Sequence, residues 1–367
     1  MIVQTVFGGI YMSTNKKAVI VTAATLATTV FLSGCGLFGG EEKKKIDPPQ
    51  DVTIMEDGEA VDENTSSETK QDGAEAVETS IQTELYLIDK NGYVVSQAME
   101  LPKTESVAKQ ALEYLVANGP VEEMLPNGFR AVLPADTQMT VNIKDGTATV
   151  DFSKEFANYK KEDEKRILQA VTWTLTQFDS VNKVKLQLNG APLEEMPVNG
   201  TPIGEDLSRA DGINMDHSDV VDITNTKAVT VYYVGGEEGE YYYVPVTRRV
   251  SNDLKDNITA IVNELVEGPA YASNLLSEFQ SDVKLLDTPK IEDGKVTLNF
   301  NESIYGSFEE KMVSEHVLNS LVLSLTEQEG VESVALTVKG AADVLTEKGE
   351  KLSEPVSRPE KVNTGSF

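Results

Sequence analysis

The sequence predicts an α+β protein: two tandem copies of a small domain, each a mixed sheet covered by two helices, after a disordered N-terminal tether. Three observations carry this prediction. An ordered set of motifs occurs twice at a nearly constant offset of 148 to 150 residues. Within each copy, apolar residues alternate with period two in some segments and recur with helical spacing in others. Ahead of the first copy lies a long acidic stretch without an aromatic residue.

The elements follow in the same order in both copies. Glu84 to Ile88 and Val229 to Val234 read as opening strands, and Tyr93 to Met99 and Tyr241 to Val246 as their hairpin partners. Gly235-Gly236 with Glu237-Glu238-Gly239 reads as a hairpin loop. A helix comes next, with Val107, Ala108, Ala111, Leu112 and Leu115 on one stripe, matched by Ile258, Ile261, Val262 and Leu265. Gly119 and Gly268 are expected to cap these helices with a left-handed backbone, each followed by a proline that stops the helix.

The runs Ile143-Lys144-Asp145-Gly146 and Ile291-Glu292-Asp293-Gly294 predict type I′ hairpin turns, which need positive φ at both central residues. Ala148, Val150 and Phe152 then share one strand face, as do Val296, Leu298 and Phe300. Long helices follow, with stripes Ile167, Leu168, Val171, Leu175 and Val317, Leu318, Leu321, Leu325. The closing strands run from Val181 to Leu188 and from Val331 to Val338. The partition is therefore 83–200 and 228–345 for the two domains, 201–227 for a linker and 346–367 for a C-terminal tail.

Residues 1–35 read as a lipoprotein signal. Lys16-Lys17 precede an apolar run from Ala18 to Leu32, and Leu32-Ser33-Gly34-Cys35 ends on the single cysteine of the chain. The apolar run is shorter than the roughly 20 residues a membrane span needs. Cys35 is the expected lipid-attachment site: a diacylglyceryl thioether on its sulfur, with cleavage before it, anchors the chain to the extracytoplasmic face of a membrane through acyl chains. Residues 1–11 add nothing to this signal, and Met12 serves as well as Met1 for a start. Residues 36–82 form the tether. Between Glu41 and Thr83 it holds 13 acidic and 4 basic residues. A flexible chain of this length spans roughly 40 Å.

The formal charge of −28, from 60 acidic and 32 basic residues, argues against nucleic acid as a partner, because that binding draws on Lys and Arg. Catalytic chemistry is not expected. His217 lies in a polar linker and His316 stands where the first copy has Arg166. No zinc-protease motif, phosphate-cradling glycine loop or nucleophile elbow occurs. Asp211, Asn214, Asp216 and Asp219 are oxygen donors close in sequence, but their spacing does not match a calcium loop, so no metal and no cofactor is expected. Tyr232-Tyr233 and Tyr241-Tyr242-Tyr243 suit neighbouring strands. Because adjacent strand residues face opposite sides, some of these tyrosines are expected to point outward, where they suit either sheet stabilisation or an interface. Trp173 and its counterpart Leu323 are expected to pack between helix and sheet.

The run Thr174-Leu175-Thr176-Gln177-Phe178 with Val181, Val184 and Gly190 resembles the closing motif of the GerMN domain family. The Lys144-Asp145-Gly146 hairpin, Phe152-Ser153, the Gly119-Pro120 cap and Leu133-Pro134 fit the same pattern. The second copy departs from it. Glu278-Phe279-Gln280-Ser281-Asp282 replaces the Leu-Pro segment, and Ser324-Leu325-Thr326-Glu327-Gln328 replaces the aromatic-ended run. The resemblance implies kinship with ring-building motif domains. It also implies a non-enzymatic scaffolding role in sporulation and spore germination, with protein partners of a sporulation membrane complex in the space between the membranes of the developing spore. The alternative is an extracytoplasmic lipoprotein that binds a small solute or cell-wall fragment between its two domains.

Overall fold

In a computed structural model of the protein, residues 80–217, 224–254, 256–306 and 311–364 are described. Cys35, the rest of the leader and nearly all of the expected tether lie outside them. The first strand starts at Ser80, three residues inside the segment assigned to the tether.

The first copy opens with an antiparallel hairpin, β1 (Ser80–Ile88) and β2 (Val94–Pro102), paired from Ser80↔Pro102 to Ile88↔Val94. Helix α1 (Val107–Glu113) follows. Then come β3 (Met139–Lys144) and β4 (Thr147–Phe152), helix α2 (Glu164–Leu175), β5 (Lys183–Leu188) and the short β6 (Ala191–Pro192). The second copy repeats this with β7 (Thr226–Glu237), β8 (Glu240–Ser251), α3 (Asn257–Glu267), β9 (Lys290–Glu292) and β10 (Lys295–Phe300). It continues with β11 (Met312–Val313), α4 (Glu315–Leu325), β12 (Ser333–Val338), β13 (Leu345–Thr346) and β14 (Val356–Ser357). The mixed sheets have the matching orders β3-β4-β5-β6 and β9-β10-β12-β14, while β11 pairs with β13 in a small parallel sheet. In each mixed sheet the long helix joins two parallel neighbours, in register Ala148↔Val184 and Val296↔Val334.

The opening hairpins are ladders of their own, not part of the mixed sheets. Each packs on its copy's long helix, which also touches the mixed sheet. This explains why α2 is buried well beyond its expected stripe: Ala170, Thr172, Trp173 and Thr174 are covered along with Ile167, Leu168, Val171 and Leu175. The helix also satisfies the outer edge of β1. Thr174 Oγ1 accepts from Tyr86 N (3.1 Å), and Gln177 bonds both Glu84 N (2.8 Å) and Glu84 O (2.6 Å). In the second copy Ser324 Oγ accepts from Tyr232 N at 2.8 Å. A strand edge covered in this way cannot recruit another chain. The strand faces behave as the alternation predicts, with Ala148, Val150, Phe152, Val296, Leu298 and Phe300 all buried. Each large side chain among them contributes roughly 1.5–3 kcal/mol.

Both Asp-Gly turns take the predicted form, with positive φ at Asp145 (50°), Gly146 (77°), Asp293 (49°) and Gly294 (74°). The two helix caps differ. Gly268 has φ 84° and closes α3 as expected. Gly119 does not cap α1: its φ is −96°, the helix ends six residues earlier, and Asn118 takes the positive φ (59°) instead. The cause is a tertiary pairing. Leu115 O accepts from Val132 N and Leu133 N, and Ala117 N donates to Leu133 O, which pulls the chain out of the helix.

Residues 201–217 are not a free linker. Leu207 exchanges two 2.8 Å backbone bonds with Val184, at the edge of the first mixed sheet. Ser208 and Asp211 form a capping box around one helical turn. Ile213 is buried, and Thr247 N donates to Ile213 O while Asp216 N donates to Thr247 O, running the chain along β8.

Replacing Gly146 or Gly294 by alanine should cost about 1 kcal/mol each, because the left-handed backbone penalises a Cβ. The new Cβ would also sit 3.1 Å from Asn182 Nδ2 or 3.0 Å from Glu332 Cδ. Urea denaturation of each single variant checks this.

Candidate functional site

The two copies meet where β2 lies against β8, and an asparagine enters the seam from each end. Asn214 Oδ1 accepts from Val94 N (2.8 Å), and its Nδ2 donates to Val94 O (2.7 Å) and across to Pro245 O (2.8 Å). Asn363 Oδ1 accepts from Tyr243 N (2.8 Å), and its Nδ2 donates to Tyr243 O (2.9 Å) and across to Ser96 O (2.9 Å). Each asparagine clasps its own copy's strand and reaches over to the other. Val94 and Tyr243, Ser96 and Pro245, and the two asparagines are each 149 positions apart. Exchanging the copies therefore exchanges every bond: the seam has local two-fold symmetry, like the interface of a symmetric dimer. Both asparagines have positive φ (46° and 55°), a conformation asparagine tolerates better than most residues.

Five positions before each asparagine stands an arginine. Arg209 and Arg358 share one carboxylate, Glu327 at the end of α4, whose side chain is only 9 % exposed. Arg209 bonds Glu327 Oε1, donates Nε to Thr176 Oγ1 (3.1 Å) and lies 4.4 Å from the centroid of the Trp173 ring. Arg358 lies 3.6 Å from Glu327 Oε2 and donates to Leu323 O (3.3 Å) and Tyr232 OH (3.2 Å). Tyr232 OH in turn donates to Glu327 Oε2 (3.0 Å). Burial holds this phenol well above its ordinary pKa, so it remains a donor. A third arginine, Arg248 of β8, is buried between Asp216 (3.2 Å) and Glu264 (2.6 Å) and ties the chain between the copies to α3.

On the same axis the seam opens into a cleft of about 660 Å³. Counterpart residues of both copies line it: Thr176 with Thr326, Gln177 with Glu327, Arg209 with Arg358.

Of the oxygen donors and aromatic residues singled out in the sequence, Asn214, Trp173, Tyr232 and Tyr243 reach this seam. Cys35 and Asp219 lie outside the described residues. Asp211 caps a turn through Ser208 N (2.7 Å), Asp216 pairs with Arg248, and Asn214 bridges the strands, so these oxygen donors serve separate partners. Among the described residues, no three His, Cys, Asp or Glu side chains gather to hold a metal. His217 is exposed. His316 bonds Tyr243 OH (3.1 Å) and meets the Tyr241 ring edge-on at 5.0 Å. Its counterpart Arg166 donates to Gly92 O (2.6 Å). No outward row of tyrosines forms. Only Tyr241 is exposed (39 %), because Tyr232, Tyr233 and Tyr242 are covered on both faces of their hairpin. Trp173 packs on Tyr86, between helix and hairpin.

A model of the family described as Germane, sporulation and spore germination, matches residues 84–194 and again 230–344. The chain belongs to this family. It is 57 % identical, over 96 % of its length and all of the relative, to the spore germination protein GerM of Bacillus subtilis (strain 168). A solved structure of the tandem GerMN domains of that organism's sporulation protein GerM covers 77 % of the chain and is itself covered in full, at 62 % identity and a TM-score of 0.74.

The seam residues of these tandem GerMN domains carry a sequence signal that lies beyond both matched ranges. Ser208-Arg209-Ala210-Asp211-Gly212-Ile213-Asn214 and Ser357-Arg358-Pro359-Glu360-Lys361-Val362-Asn363 align at the same offset as the rest of the repeat. Each supplies a buried aliphatic residue, an arginine and an asparagine to the seam. The repeat unit therefore includes this closing motif, which polar composition disguises as linker and tail.

The first GerMN domain also holds two acids at the head of α2. Burial works against the charge of Asp163, but bonds from Arg130 (2.6 Å) and Arg166 (2.9 Å) outweigh it and lower its pKa. Burial likewise opposes Glu164, which Thr201 N (2.8 Å), Asn199 N (2.6 Å) and Tyr159 OH (2.9 Å) hold below the usual range.

Two outcomes follow. Asn214→Ala and Asn363→Ala should each cost about 1–3 kcal/mol, the penalty for leaving buried backbone groups unpaired; chemical denaturation checks this. Asp163 and Glu164 have pKa values lowered on folding, so their contribution is present above the unfolded values near 4 and disappears as pH falls through the folded ones. Thermal stability should fall on acidification below about pH 4. Asp163→Asn and Glu164→Gln should each lower stability at pH 7 and flatten that acid slope.

Proposed function

We propose that this GerMN protein is a lipid-anchored, non-enzymatic assembly protein of sporulation and spore germination, working in the space between the membranes of the developing spore. The observation that carries this reading is the two-fold seam. The polar residues that the repeat brings together there, Asn214, Asn363, Arg209, Arg358 and Glu327, bond protein groups and fix one copy against the other. A closed two-fold interface cannot propagate. The fused pair is thus a rigid block with a defined valence, and partner contacts fall on its outer surfaces. The lipobox ending at Cys35 supports anchoring, with the acidic tether lifting the block from the membrane surface. The relative named a spore germination protein supports the developmental setting.

Cys35→Ala should move the chain from the membrane fraction to the soluble fraction and abolish labelling by a palmitate analogue. Retention on the membrane with full labelling would overturn the anchor. Deleting the gene should block spore development while leaving vegetative growth intact, and normal spores from the deletion strain would overturn the assembly role.

A further inference from the structure

The structure assigns a spontaneous modification site to Asn127: its side-chain amide is lost to attack by the main-chain nitrogen of Gly128, leaving aspartate or isoaspartate. The site is separate from the assembly role and stands or falls without it. Asparagine before glycine is open to this reaction because a residue without Cβ leaves the attacking nitrogen unhindered. The chain holds five such pairs, beginning at Asn91, Asn118, Asn127, Asn189 and Asn199. All five asparagines are exposed, so sequence and accessibility do not choose among them.

The engagement of the glycine N–H does choose. The attacking nitrogen must give up its proton and turn toward the side chain, so a hydrogen bond that it donates has to break first. Gly92 N donates to Asp89 O (3.0 Å), Gly119 N to Val116 O (3.2 Å) and Gly200 N to Met196 O (3.0 Å). Gly190 N donates to Asp151 Oδ1 (2.8 Å). Among the described residues, Gly128 N alone of the five has no acceptor. The turn explains why. Phe129 N donates to Pro126 O (3.0 Å) and Gly128 has φ 79°, the arrangement of a type II turn, whose one bond uses the N–H after the glycine.

In the reaction the Gly128 nitrogen bonds to Cγ of Asn127, and the bond from Cγ to the side-chain nitrogen breaks. Ammonia leaves with the proton from Gly128 N. Water then opens the cyclic imide. Attack at Cγ restores the ordinary main chain with aspartate; attack at the main-chain carbonyl gives isoaspartate, whose main chain is longer by one atom. The position matters because contacts between the copies flank it. Phe129 is buried and meets the Tyr242 ring edge-on at 5.1 Å. Gly128 packs on the stem of Lys90, where a Cβ would sit 3.4 Å from Lys90 Cβ, and the Lys90 ammonium pairs with Glu237 of the second copy. Isoaspartate lengthens the chain two residues before Phe129, and either product adds a carboxylate to the turn beside Lys90. Conversion therefore loosens this end of the seam.

The test is incubation of the full chain in mildly alkaline buffer, native and in guanidinium chloride, followed by digestion and mass spectrometry of the peptide around each asparagine. The native chain should convert Asn127 at close to its rate in denaturant, while the other four sites slow by about two- to tenfold or more, the factor that one hydrogen bond sets. Asn127→Gln should abolish conversion at that position. Ageing should lower the melting temperature of the native chain, and lower it less in Asn127→Gln. Slowing at Asn127 equal to that at the other four overturns the site, as does an Asn127 that converts in denaturant and stays intact in the native chain. An equal fall in melting temperature with and without Asn127→Gln overturns the loosening of the seam.

Discussion

Two strand edges buried against each other must have their backbone groups paired, and this one constraint organises the molecule. β2 and β8 are brought together, and their edges are paired by two asparagine side chains together with the main chain beside them, where Thr247 N donates to Ile213 O and Ala98 N to Val362 O. Asn214 and Asn363 each present an amide, which carries the same donor and acceptor pair as a peptide group. Each therefore acts as a one-residue strand between the hairpins. The positive φ of both residues aims the amide into the seam. The flanking sequence then has to follow: Ile213 and Val362 are buried because the asparagine beside each is fixed.

The same constraint explains why 201–217 is ordered despite its polar composition. A tether needs only length, whereas this segment is held at Leu207 by β5, at Ser208–Asp211 by its own turn, at Asp216 by Arg248 and at Ile213 by β8. The buried Arg248 with two acids adds less net stability than its contacts suggest, since desolvation offsets much of the attraction. Its consequence is geometric: the segment's end can lie along β8 in one place only.

Local chemistry was legible in the sequence and tertiary chemistry was not. The Asp-Gly turns and period-two strands are decided within a few residues, so Asp145, Gly146 and the Ala148-Val150-Phe152 face stand as read. The end of α1 departs from the Gly119 cap the sequence predicts because the deciding contact, Leu115 with Leu133, spans eighteen positions. The tyrosines lie on strands as their composition predicts, but alternation says nothing about a second covering layer, and β7 and β8 have one. Arg209, Arg358, Asn214 and Asn363 were hidden for a different reason. In isolation they are polar residues in polar sequence, and only their recurrence at the domain offset marks them as structural.

Duplication also permits what a symmetric dimer does not. In a dimer of identical chains, residues at equivalent positions must be the same, so two arginines would face two glutamates or two glutamines. Here the counterpart of Glu327 is Gln177, which is engaged with the backbone of Glu84 at the edge of β1. A glutamate at 177 could accept from Glu84 N but could not donate to Glu84 O, and it would add a second charge to a covered region. Conversely, glutamine at 327 would leave two guanidiniums without a counter-charge. The fused copies resolve the conflict by using one residue of each kind. The consequence of that resolution is a seam in which two guanidiniums share one carboxylate, beside a cleft whose remaining charges are negative.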